Sequence, residues 1–537
     1  MISDQLRLEI QEWIKNDPDK KTSEQLSRWL AENNEKDLNR CFNGFLQFGT
    51  AGLRGPVGPG PSCMNRAVVS RTAAGIVLFM KKNNLTSVVI GRDARHGSKE
   101  FAQDSAEIFA GSGIKTYVLP RMLPTPVLAF AVNKLKTDVG IMVTASHNPA
   151  ADNGYKVYLG GTVLGINYRG SQITSPVDQM ISDEISKADL APNRSSSFET
   201  VNESVISDYI SSVTRLSTSA GKLKIIYTAL HGVGAETFIS VFQKAGFNDL
   251  ILVSEQNEPD PNFPTTAFPN PEESGVIDLA IEYAKKHNAD LVIANDPDAD
   301  RCAVAVNDPE SGWRMLRGDE VGVILGKYLV EKNISTSKAF ANSLVSSSLL
   351  AKIAKKNGVK FHETLIGFKW ISKVENLGYG YEEALGYCVD PDYVNDKDGI
   401  SAALLLAQLV SELKQSGTSL NDYLQSIGNE FGFHATDQIS IRFTDSAAID
   451  SLLSKISKNP PKELSGFALQ SVEDLNLSIT MPTPGIRMKY AGEIRVIIRA
   501  SGTEPKLKCY IEVVCNSKSE ANLLISQIKQ ALTKVLS

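Results

Sequence analysis

A serine and a histidine lie side by side in a short turn that follows an apolar run. Residues 144–149 read Thr-Ala-Ser-His-Asn-Pro, with Ser146 next to His147. The preceding residues 139–143 are apolar and partly β-branched, which predicts a buried strand, and Asn-Pro is typical of a turn. The end of such a strand can deliver a hydroxyl nucleophile to a cleft. Taken alone, the pattern also fits an ordinary turn closed by local hydrogen bonds.

Three aspartates alternate in a second loop, which follows the apolar run 291–294. Asp296, Asp298 and Asp300 have the spacing that lets carboxylates converge on a hard divalent cation. The loop is not an EF-hand, because its sixth position is Arg301 instead of glycine and its twelfth is Asn307 instead of glutamate. Arg301 next to the carboxylates favours a combined metal and phosphate site over a solvated acidic turn.

Two further segments have the composition of phosphate-binding turns. The segment 499–505 joins two apolar runs and combines a guanidinium, hydroxyls and a glycine that allows close backbone approach, followed by two lysines. Its candidate ligands are Arg499, Ser501, Gly502, Thr503 and Lys508. The glycine-rich segment 48–55 presents Arg54 in the same way. An ordinary hairpin turn is the alternative for 499–505, and no Walker A loop occurs.

A pair of glutamates, Glu382 and Glu383, lies among aromatic and apolar residues at 380–387. Buried carboxylates need hydrogen-bond donors, and sugar hydroxyls are donors of the right kind. Pairing of a glutamate with a lysine or arginine explains the segment equally well.

Length, composition and charge limit the class of protein to which this chain can belong. The chain has 537 residues, 42% of them hydrophobic and 22% charged, and a net charge of −5. This length predicts several domains, and the weak acidic charge without a basic block argues against nucleic-acid binding. No window is apolar enough to span a bilayer, and the N-terminus does not resemble a signal peptide. We therefore expect a cytoplasmic protein that does not bind membranes.

Strand-like and helical runs alternate through most of the chain. Strands are predicted at residues 87–90, 116–119, 224–227, 290–293 and 338–341. This alternation predicts an α/β fold with parallel or mixed sheets covered by helices. The last hundred residues instead predict a smaller α+β domain, with strands at 434–443, 493–498 and 506–514 and a closing helix at 517–536. Leu6, Ile10, Trp13 and Ile14 at helical spacing predict an N-terminal helical arm.

Taken in order, the four motifs at 144–149, 296–301, 381–386 and 499–505 resemble those of the α-D-phosphohexomutase superfamily. The forms FGTAGLRG, DPDADR, YEEALGY and RASGTEP are most similar to the branch that contains phosphoglucomutases with phosphopentomutase activity. The resemblance implies four domains around a central cleft, three of related α/β type with mixed sheets and a smaller α+β domain. We place them at 1–203 with the arm and the phosphoserine, 204–314 with the metal loop, 315–430 with the sugar loop and 431–537 with the phosphate loop.

The resemblance also implies an activity and a role for each residue. It implies reversible phosphoryl transfer between C1 and the terminal hydroxyl of glucose, ribose or deoxyribose phosphates, by way of a phosphoserine at Ser146 and a sugar bisphosphate that also activates the enzyme. One Mg²⁺ per active site would bind the Ser146 phosphate, Asp296, Asp298 and Asp300. Arg54 would stabilise the transferring group, and the general acid or base would be His147 or Lys156. The substrate would contact Arg301, Lys369, Glu382, Ala384, Arg499, Ser501, Gly502, Thr503 and Lys508.

Two positions depart from the family pattern. Many members carry serine where this chain has Ala384, so one hydroxyl contact to the sugar is lost and pure hexose specificity is in doubt. Ile366 stands where relatives have a polar residue before the aromatic-lysine pair Phe368-Lys369. The preferred sugar and the oligomeric state are left open.

Three other functions remain as alternatives. A glucose-1,6-bisphosphate synthase would use the same phosphoserine, and a catalytically silent sugar-phosphate-binding protein would keep the phosphate loops. A serine hydrolase lacks support because no G-x-S-x-G elbow occurs.

Overall fold

The computed structural model describes residues 2–50, 52–189, 191–218, 221–443, 446–478, 482–500 and 506–536, except the side chain of Ser446. The chain forms two compact units. The first contains residues 1–316, 377–380 and 384–412, and the second contains residues 317–376, 381–383 and 413–537. In the described residues, no helix is both long enough and apolar enough to cross a membrane.

Helices and strands alternate along the described chain. The helices are α1 (Asp4–Asn16), α2 (Lys20–Ala31), α3 (Glu35–Cys41), α4 (Arg66–Lys82), α5 (Ser98–Gly111), α6 (Thr125–Leu135), α7 (Val177–Lys187), α8 (Glu203–Thr214), α9 (Ala235–Lys244), α10 (Asp278–His287), α11 (Gly318–Glu331), α12 (Leu349–Lys356), α13 (Phe368–Ile371), α14 (Gly399–Gln415), α15 (Leu420–Phe431), α16 (Ser446–Lys458) and α17 (Lys518–Leu536). The strands are β1 (Leu53–Pro56), β2 (Ser87–Arg92), β3 (Lys115–Val118), β4 (Val139–Val143), β5 (Asp152–Leu159), β6 (Thr162–Val163), β7 (Ile166–Asn167), β8 (Ser171–Gln172), β9 (Glu199–Thr200), β10 (Ile225–Thr228), β11 (Leu250–Leu252), β12 (Leu291–Ala294), β13 (Ala303–Asp308), β14 (Gly312–Met315), β15 (Ala339–Ser343), β16 (Phe361–Thr364), β17 (Leu377–Glu382), β18 (Gly386–Cys388), β19 (Phe433–Arg442), β20 (Glu463–Leu464), β21 (Phe467–Asp474), β22 (Ile486–Tyr490), β23 (Ile494–Ala500) and β24 (Lys506–Cys515).

The first sheet of the first unit is mixed and has the order β1-β5-β4-β2-β3-β9, with β8 paired to β5. Strand β4 lies inside it, parallel to β2 and antiparallel to β5. All five residues of β4 are buried, as expected for a strand covered on both faces. Helix α6 packs against β2 and β4, and α5 packs against β2 and β3. The sheet therefore holds the end of β4, where the turn with Ser146 begins.

The second sheet of the first unit has the order β11-β10-β12-β13-β14. Its strands β11, β10 and β12 are parallel, and β13 returns antiparallel to β12. The four residues of β12 are buried, and the loop with the three aspartates connects β12 to β13. The sheet therefore positions both ends of this loop.

The second unit contains the parallel pair β15–β16 and a sheet with the order β19-β24-β23-β22-β21-β20. The pairs that join β19, β24, β23, β22 and β21 are antiparallel. Helix α17 packs against β19 and β24, and its apolar face is buried in the same core. This sheet has the α+β character predicted for the C-terminal residues.

The predicted elements agree with the observed ones to within about two residues. All five predicted α/β strands are present as β2, β3, β10, β12 and β15, and the C-terminal strands are β19, β23 and β24. The helical arm consists of α1, α2 and α3, whose apolar side chains Ile10, Leu26 and Leu38 form their own buried cluster. The predicted α/β fold with mixed sheets is confirmed.

Candidate active site

Ser146 lies in a strained turn at the end of β4. Its φ is +52°, in the left-handed region that few residues other than glycine adopt, and its backbone N–H donates to Thr144 Oγ1 at 2.9 Å. The side chain is 3% exposed. Its hydroxyl donates to Asp296 Oδ2 at 2.7 Å, and His147 Nδ1 lies 3.1 Å from the same oxygen. The predicted nucleophile, the neighbouring imidazole and the first loop aspartate therefore meet at one point.

Arg95 holds this turn and was not predicted from the sequence. Its guanidinium donates to the carbonyl oxygens of Ser146 at 2.7 Å, Pro149 at 2.8 Å and Asp152 at 3.0 Å, and also to that of Asn148. The residue is 4% exposed. A buried guanidinium with several carbonyl partners can keep a strained turn in a single conformation. The signal in the sequence was Arg-Asp-Ala-Arg at residues 92–95, which begins at the last residue of β2.

Replacing Arg95 with lysine tests this role. Lysine keeps the charge but cannot span several carbonyls, so Arg95→Lys is expected to lower the free energy of unfolding by about 2 kcal/mol and the catalytic rate about tenfold. Chemical denaturation and steady-state kinetics measure the two effects. Arg92→Lys is the matched control, because Arg92 donates to the Asp93 carbonyl instead of the turn. Equal rates for the two variants would contradict the role.

The three aspartates of the second loop are all buried and converge. One carboxylate oxygen from each of Asp296, Asp298 and Asp300 lies within 4.8 Å of the others. Asp298 Oδ1 and Asp300 Oδ1 are buried and accept no hydrogen bond from the described residues. Buried carboxylate oxygens without donors are costly unless a cation binds them, and such oxygens are the ligands that hard divalent ions prefer. The residues therefore fit a metal ion.

Two lysines contact the carboxylate cluster. Lys156 Nζ lies 2.7 Å from Asp298 Oδ2 and 3.0 Å from Asp300 Oδ2, and Lys397 Nζ lies 3.4 Å from Asp300 Oδ2. Lys156 was predicted from the sequence, whereas Lys397 was missed. The signal for Lys397 was its position among polar residues, Asn-Asp-Lys-Asp-Gly at 395–399, between β18 and the buried helix α14.

The pKa values of the three carboxyl groups are shifted in different directions. Burial raises the pKa of Asp296 well above its ordinary value, and the charges of Asp298 and Asp300 raise it further. Burial also opposes the charged form of Asp298 and Asp300, but Lys156 outweighs it and holds the pKa of both carboxyl groups below the ordinary value. Burial lowers the pKa of Lys156, but the same two carboxylates outweigh this and raise it.

Arg54 and Arg301 bring positive charge to the serine turn. Arg54 lies on β1 opposite Gly154 of β5 and donates to Asn148 Oδ1 at 3.1 Å. Arg301 Nε lies 4.0 Å from Asp296 Oδ2 and 3.9 Å from Asp300 Oδ1. The pKa of His147 is lowered well below its ordinary value, first by burial and then by these two arginines. His147 is therefore neutral at pH 7.

The other predicted substrate residues are distributed over both units. In the second unit, Lys369 lies in the short helix α13, and the buried Glu382 is the last residue of β17. Ala384, two residues later, belongs to the first unit and is half-buried. Arg499 on β23 lies opposite Lys508 on β24 in the antiparallel register of the two strands. The Arg499 Nε atom is buried and donates no hydrogen bond to the described residues. Ser501, Gly502 and Thr503 lie outside the described residues.

Ile366 replaces an expected polar residue and has a packing role. With Leu365 it packs against a buried cluster formed by Leu344, Val345, Leu475, Ile497 and Tyr510. An apolar side chain at this position therefore adds to a core within the second unit.

Four family models match the chain in order. They are described as phosphoglucomutase/phosphomannomutase α/β/α domains I, II and III and the C-terminal domain, and they match residues 46–191, 207–312, 317–431 and 444–530. A probable phosphomannomutase of Haemophilus influenzae is 44% identical over 481 residues, which cover 88% of this chain and 98% of the relative. The human phosphopentomutase is 35% identical over 590 aligned residues, and this alignment covers 97% of this chain and 95% of the relative.

A solved structure has the same fold. The phosphoglucomutase/phosphomannomutase family protein from Burkholderia thailandensis superposes with a TM-score of 0.71 at 18% identity, covering 90% of this chain and 96% of that protein.

Proposed function

Because the chain belongs to the phosphoglucomutase/phosphomannomutase family and is a phosphosugar mutase, we propose that it acts on glucose phosphates, on ribose or deoxyribose phosphates, or on both. The phosphoryl group moves between C1 and the terminal hydroxyl of the sugar. The observation that carries the proposal is the position of Ser146, whose hydroxyl contacts one carboxylate of a buried acidic triad at 2.7 Å.

Ser146 is the proposed phosphoryl carrier. In the first half-reaction the bond between phosphorus and Ser146 Oγ breaks and Ser146 Oγ takes up a proton. A bond forms from phosphorus to the free sugar hydroxyl, and that hydroxyl gives its proton to a base. In the second, Ser146 Oγ attacks the other phosphate of the resulting bisphosphate and loses its own proton. The bond between that phosphorus and the sugar oxygen breaks, and the sugar oxygen takes up a proton to become the free hydroxyl of the product. His147 is neutral and 3.1 Å from Ser146 Oγ, so we assign it the proton that Ser146 Oγ loses. Lys156 stays charged beside the carboxylates and balances their charge.

The triad is the proposed Mg²⁺ site. Asp296, Asp298 and Asp300 would hold the ion together with an oxygen of the Ser146 phosphate, and two of the three carboxylates have buried oxygens that accept no hydrogen bond from the described residues. When bound, the ion neutralises charge that develops on the transferring phosphoryl group. Arg54 and Arg301 lie around the same turn and would stabilise that charge as well.

The other candidate residues are assigned to the substrate. We propose that Lys369, Glu382 and Ala384 line the position of the sugar. The non-reacting phosphate would be held by a set of donors that follows β23, namely Arg499, Ser501, Gly502, Thr503 and Lys508. The Nε of Arg499 donates no hydrogen bond to the residues that the structure describes, and a phosphate oxygen is a suitable acceptor, which supports this assignment.

The proposed partners are small phosphosugars, and a sugar bisphosphate is the proposed activator because it can restore a phosphoryl group to an unphosphorylated Ser146. A cytoplasmic location stays a prediction.

Side-by-side kinetics test the substrate proposal. We expect kcat/KM for glucose 1-phosphate or for ribose and deoxyribose 1-phosphates to exceed that for mannose 1-phosphate at least about tenfold. A preference for mannose 1-phosphate would overturn the proposed substrate. The same assay with and without 1,3-bisphosphoglycerate separates a mutase from a bisphosphate synthase, since only the synthase needs that donor to release a bisphosphate as product.

Ala384 is expected to affect the choice of sugar. Ala384→Ser adds a hydroxyl beside the proposed sugar position, and one net hydrogen bond should raise kcat/KM for glucose 1-phosphate about fivefold relative to ribose 1-phosphate. The ratio of the two kcat/KM values is the measurement. Ala384→Gly changes the volume without adding a hydroxyl and serves as the control. An unchanged ratio in Ala384→Ser would remove Ala384 from the sugar contacts.

A further inference from the structure

A serine-rich loop in the second unit has polar contacts that the proposed reaction does not use. Residues 343–348, called here the connecting loop, read Ser-Leu-Val-Ser-Ser-Ser and run from the end of β15 to the start of α12. Residues 343–347 are buried. Hydroxyls that are buried in such number need partners, and the partners lie in two different parts of the second unit.

The first set of partners belongs to the segment with the sugar-loop glutamates. Glu383 Oε2 accepts from Ser343 Oγ at 3.0 Å and from Ser346 Oγ at 3.1 Å, and the backbone N–H of Glu383 donates to Ser346 Oγ at 3.2 Å. Asp319 makes a second connection between the loop and this segment. It accepts hydrogen bonds from the backbone N–H of Ser347 at 2.6 Å and from Tyr381 Oη at 3.0 Å. The residues on both sides of Glu382 are thus fixed to the connecting loop.

The second set of partners belongs to the C-terminal sheet. Glu512 on β24 is 3% exposed and accepts from Ser347 Oγ at 2.7 Å and from the backbone N–H of Ser348 at 2.8 Å. The same carboxylate pairs with Arg495 at 2.8 Å and with His434 at 3.0 Å. Burial opposes the charged form of Glu512, but Arg495 and His434 outweigh it and hold the pKa of Glu512 below its ordinary value.

Further contacts fasten the same loop to the same strands. Arg495 on β23 donates to the carbonyl oxygens of Leu344, at 3.3 Å, and Ser346. Leu344 and Val345 pack against Ile497 and Tyr510 of the sheet. Arg495 and Glu512 are direct partners in the register of β23 and β24, the two strands that flank residues 501–505. The connecting loop therefore touches both the segment around Glu382 and the strands that lead to Arg499.

We propose that the connecting loop transmits the position of β23 and β24 to Glu382, and that Glu383 and Glu512 are positioning residues for sugar binding. A buried carboxylate whose oxygens are already hydrogen-bonded resists displacement, because any shift leaves a charge or a hydroxyl without a partner. The sugar loop and the phosphate-loop strands are thus held in one relative position. This fixed arrangement keeps Glu382 and Arg499 ready to bind the two ends of one substrate, so that little ordering is needed on binding. This inference rests on the proposed roles of Glu382 and Arg499.

A double-mutant cycle tests the proposal. Glu383→Gln, Glu512→Gln and the double variant are compared with the wild type, using glucose 1-phosphate and ribose 1-phosphate with a saturating sugar bisphosphate. We expect each single variant to raise KM about tenfold with kcat within about twofold, because the groups around Ser146 are untouched. The double variant should also raise KM about tenfold, because either change already breaks the connection. An increase of about a hundredfold in the double variant would mean independent effects and would overturn the proposal.

A matched control separates position from stability. Arg487 on β22 pairs with Glu363 on β16, so this ion pair also joins the C-terminal sheet to the rest of the second unit, but it does not involve the connecting loop. Glu363→Gln should leave KM unchanged, and thermal unfolding of all variants reports their stability. If Glu512→Gln does not fold, Ser347→Ala takes its place in the cycle, because it removes only one hydroxyl that contacts Glu512. A raised KM in Glu363→Gln equal to that of Glu383→Gln would count against the connecting loop.

Glu382→Gln, measured in parallel, distinguishes this inference from the assignment on which it rests. If Glu382→Gln leaves KM unchanged, the proposed sugar contact of Glu382 fails. If Glu382→Gln raises KM and a folded Glu383→Gln does not, the sugar contact stands and the positioning role fails.

Discussion

Ser146→Ala is expected to lose mutase activity by on the order of a thousandfold or more, because the substitution removes the only atom of this residue that can carry a phosphoryl group. Intact-protein mass spectrometry should show a phosphoryl group on the wild type after incubation with a sugar bisphosphate, and none on the variant. Ser146 Oγ lies 2.7 Å from Asp296 Oδ2 and 3.1 Å from His147 Nδ1, so the substitution removes the oxygen at the centre of the proposed site.

The control for this variant is another buried serine of the first unit. Ser105 accepts a hydrogen bond from Tyr155 Oη at 2.9 Å and takes no part in the carboxylate cluster. Ser105→Ala should keep both its phosphoryl group and its activity. Full activity in Ser146→Ala, or a phosphoryl group retained in that variant, would reject Ser146 as the carrier.

Removal of the proposed Mg²⁺ ion is expected to produce the second largest effect. Chelation should lower activity at least about a hundredfold, and added Mg²⁺ should restore it, because the ion would offset the charge of three buried carboxylates and of the transferring group. Asp298→Asn should weaken Mg²⁺ binding, since it replaces an ionised ligand with a neutral one. A readout apart from activity is available: Mg²⁺ should raise the melting temperature of the wild type more than that of Asp298→Asn.

Asp308 provides a matched comparison for the metal experiment. It is buried in β13, outside the triad, and accepts from the backbone N–H of Glu310 at 2.9 Å. Asp308→Asn should retain the Mg²⁺-dependent rise in melting temperature. Equal Mg²⁺ affinity in the wild type and in Asp298→Asn would contradict the proposed metal site.

The fold was predictable because its strands leave a local signal. Strands such as β4 and β12 are buried along their whole length, so they appear in the sequence as short apolar runs followed by polar turns. The order of the four motifs also indicated the family, and the comparisons confirm that family. The four domain boundaries stay a prediction, since the structure shows two compact units that interleave along the chain at residues 377–384.

The site was only partly predictable, because its contacts join distant residues. The ion pair from Lys156 to Asp298 spans 142 residues of sequence, and it forms because β5 lies beside β4 in one sheet while the aspartates follow β12 in another. Arg95 was missed because its partners are backbone carbonyls, which carry no residue-specific signal. Lys397 was missed because its position among polar residues indicates a polar segment but does not indicate that its ammonium group reaches Asp300.

The contacts of the connecting loop also join residues that are distant in the sequence and could not be predicted from it. A run of serines at 346–348 is typical of an exposed linker, yet Ser346 and Ser347 are buried and hydrogen-bonded to Glu383 and Glu512. Glu512 lies 165 residues from Ser347 in the chain, on the strand β24. Only the packing of the second unit brings these groups together, so the positioning role could not be inferred from composition or spacing.

Transfer of a labelled phosphoryl group tests directly whether Ser146 is the phosphoryl carrier. The enzyme is labelled with ³²P at Ser146, freed of excess label and mixed with unlabelled glucose 1-phosphate or ribose 1-phosphate in a rapid-quench apparatus. We expect the label to leave Ser146 and to appear in a sugar bisphosphate or product at a rate no slower than kcat. Product that forms while the label stays on Ser146 would contradict this role.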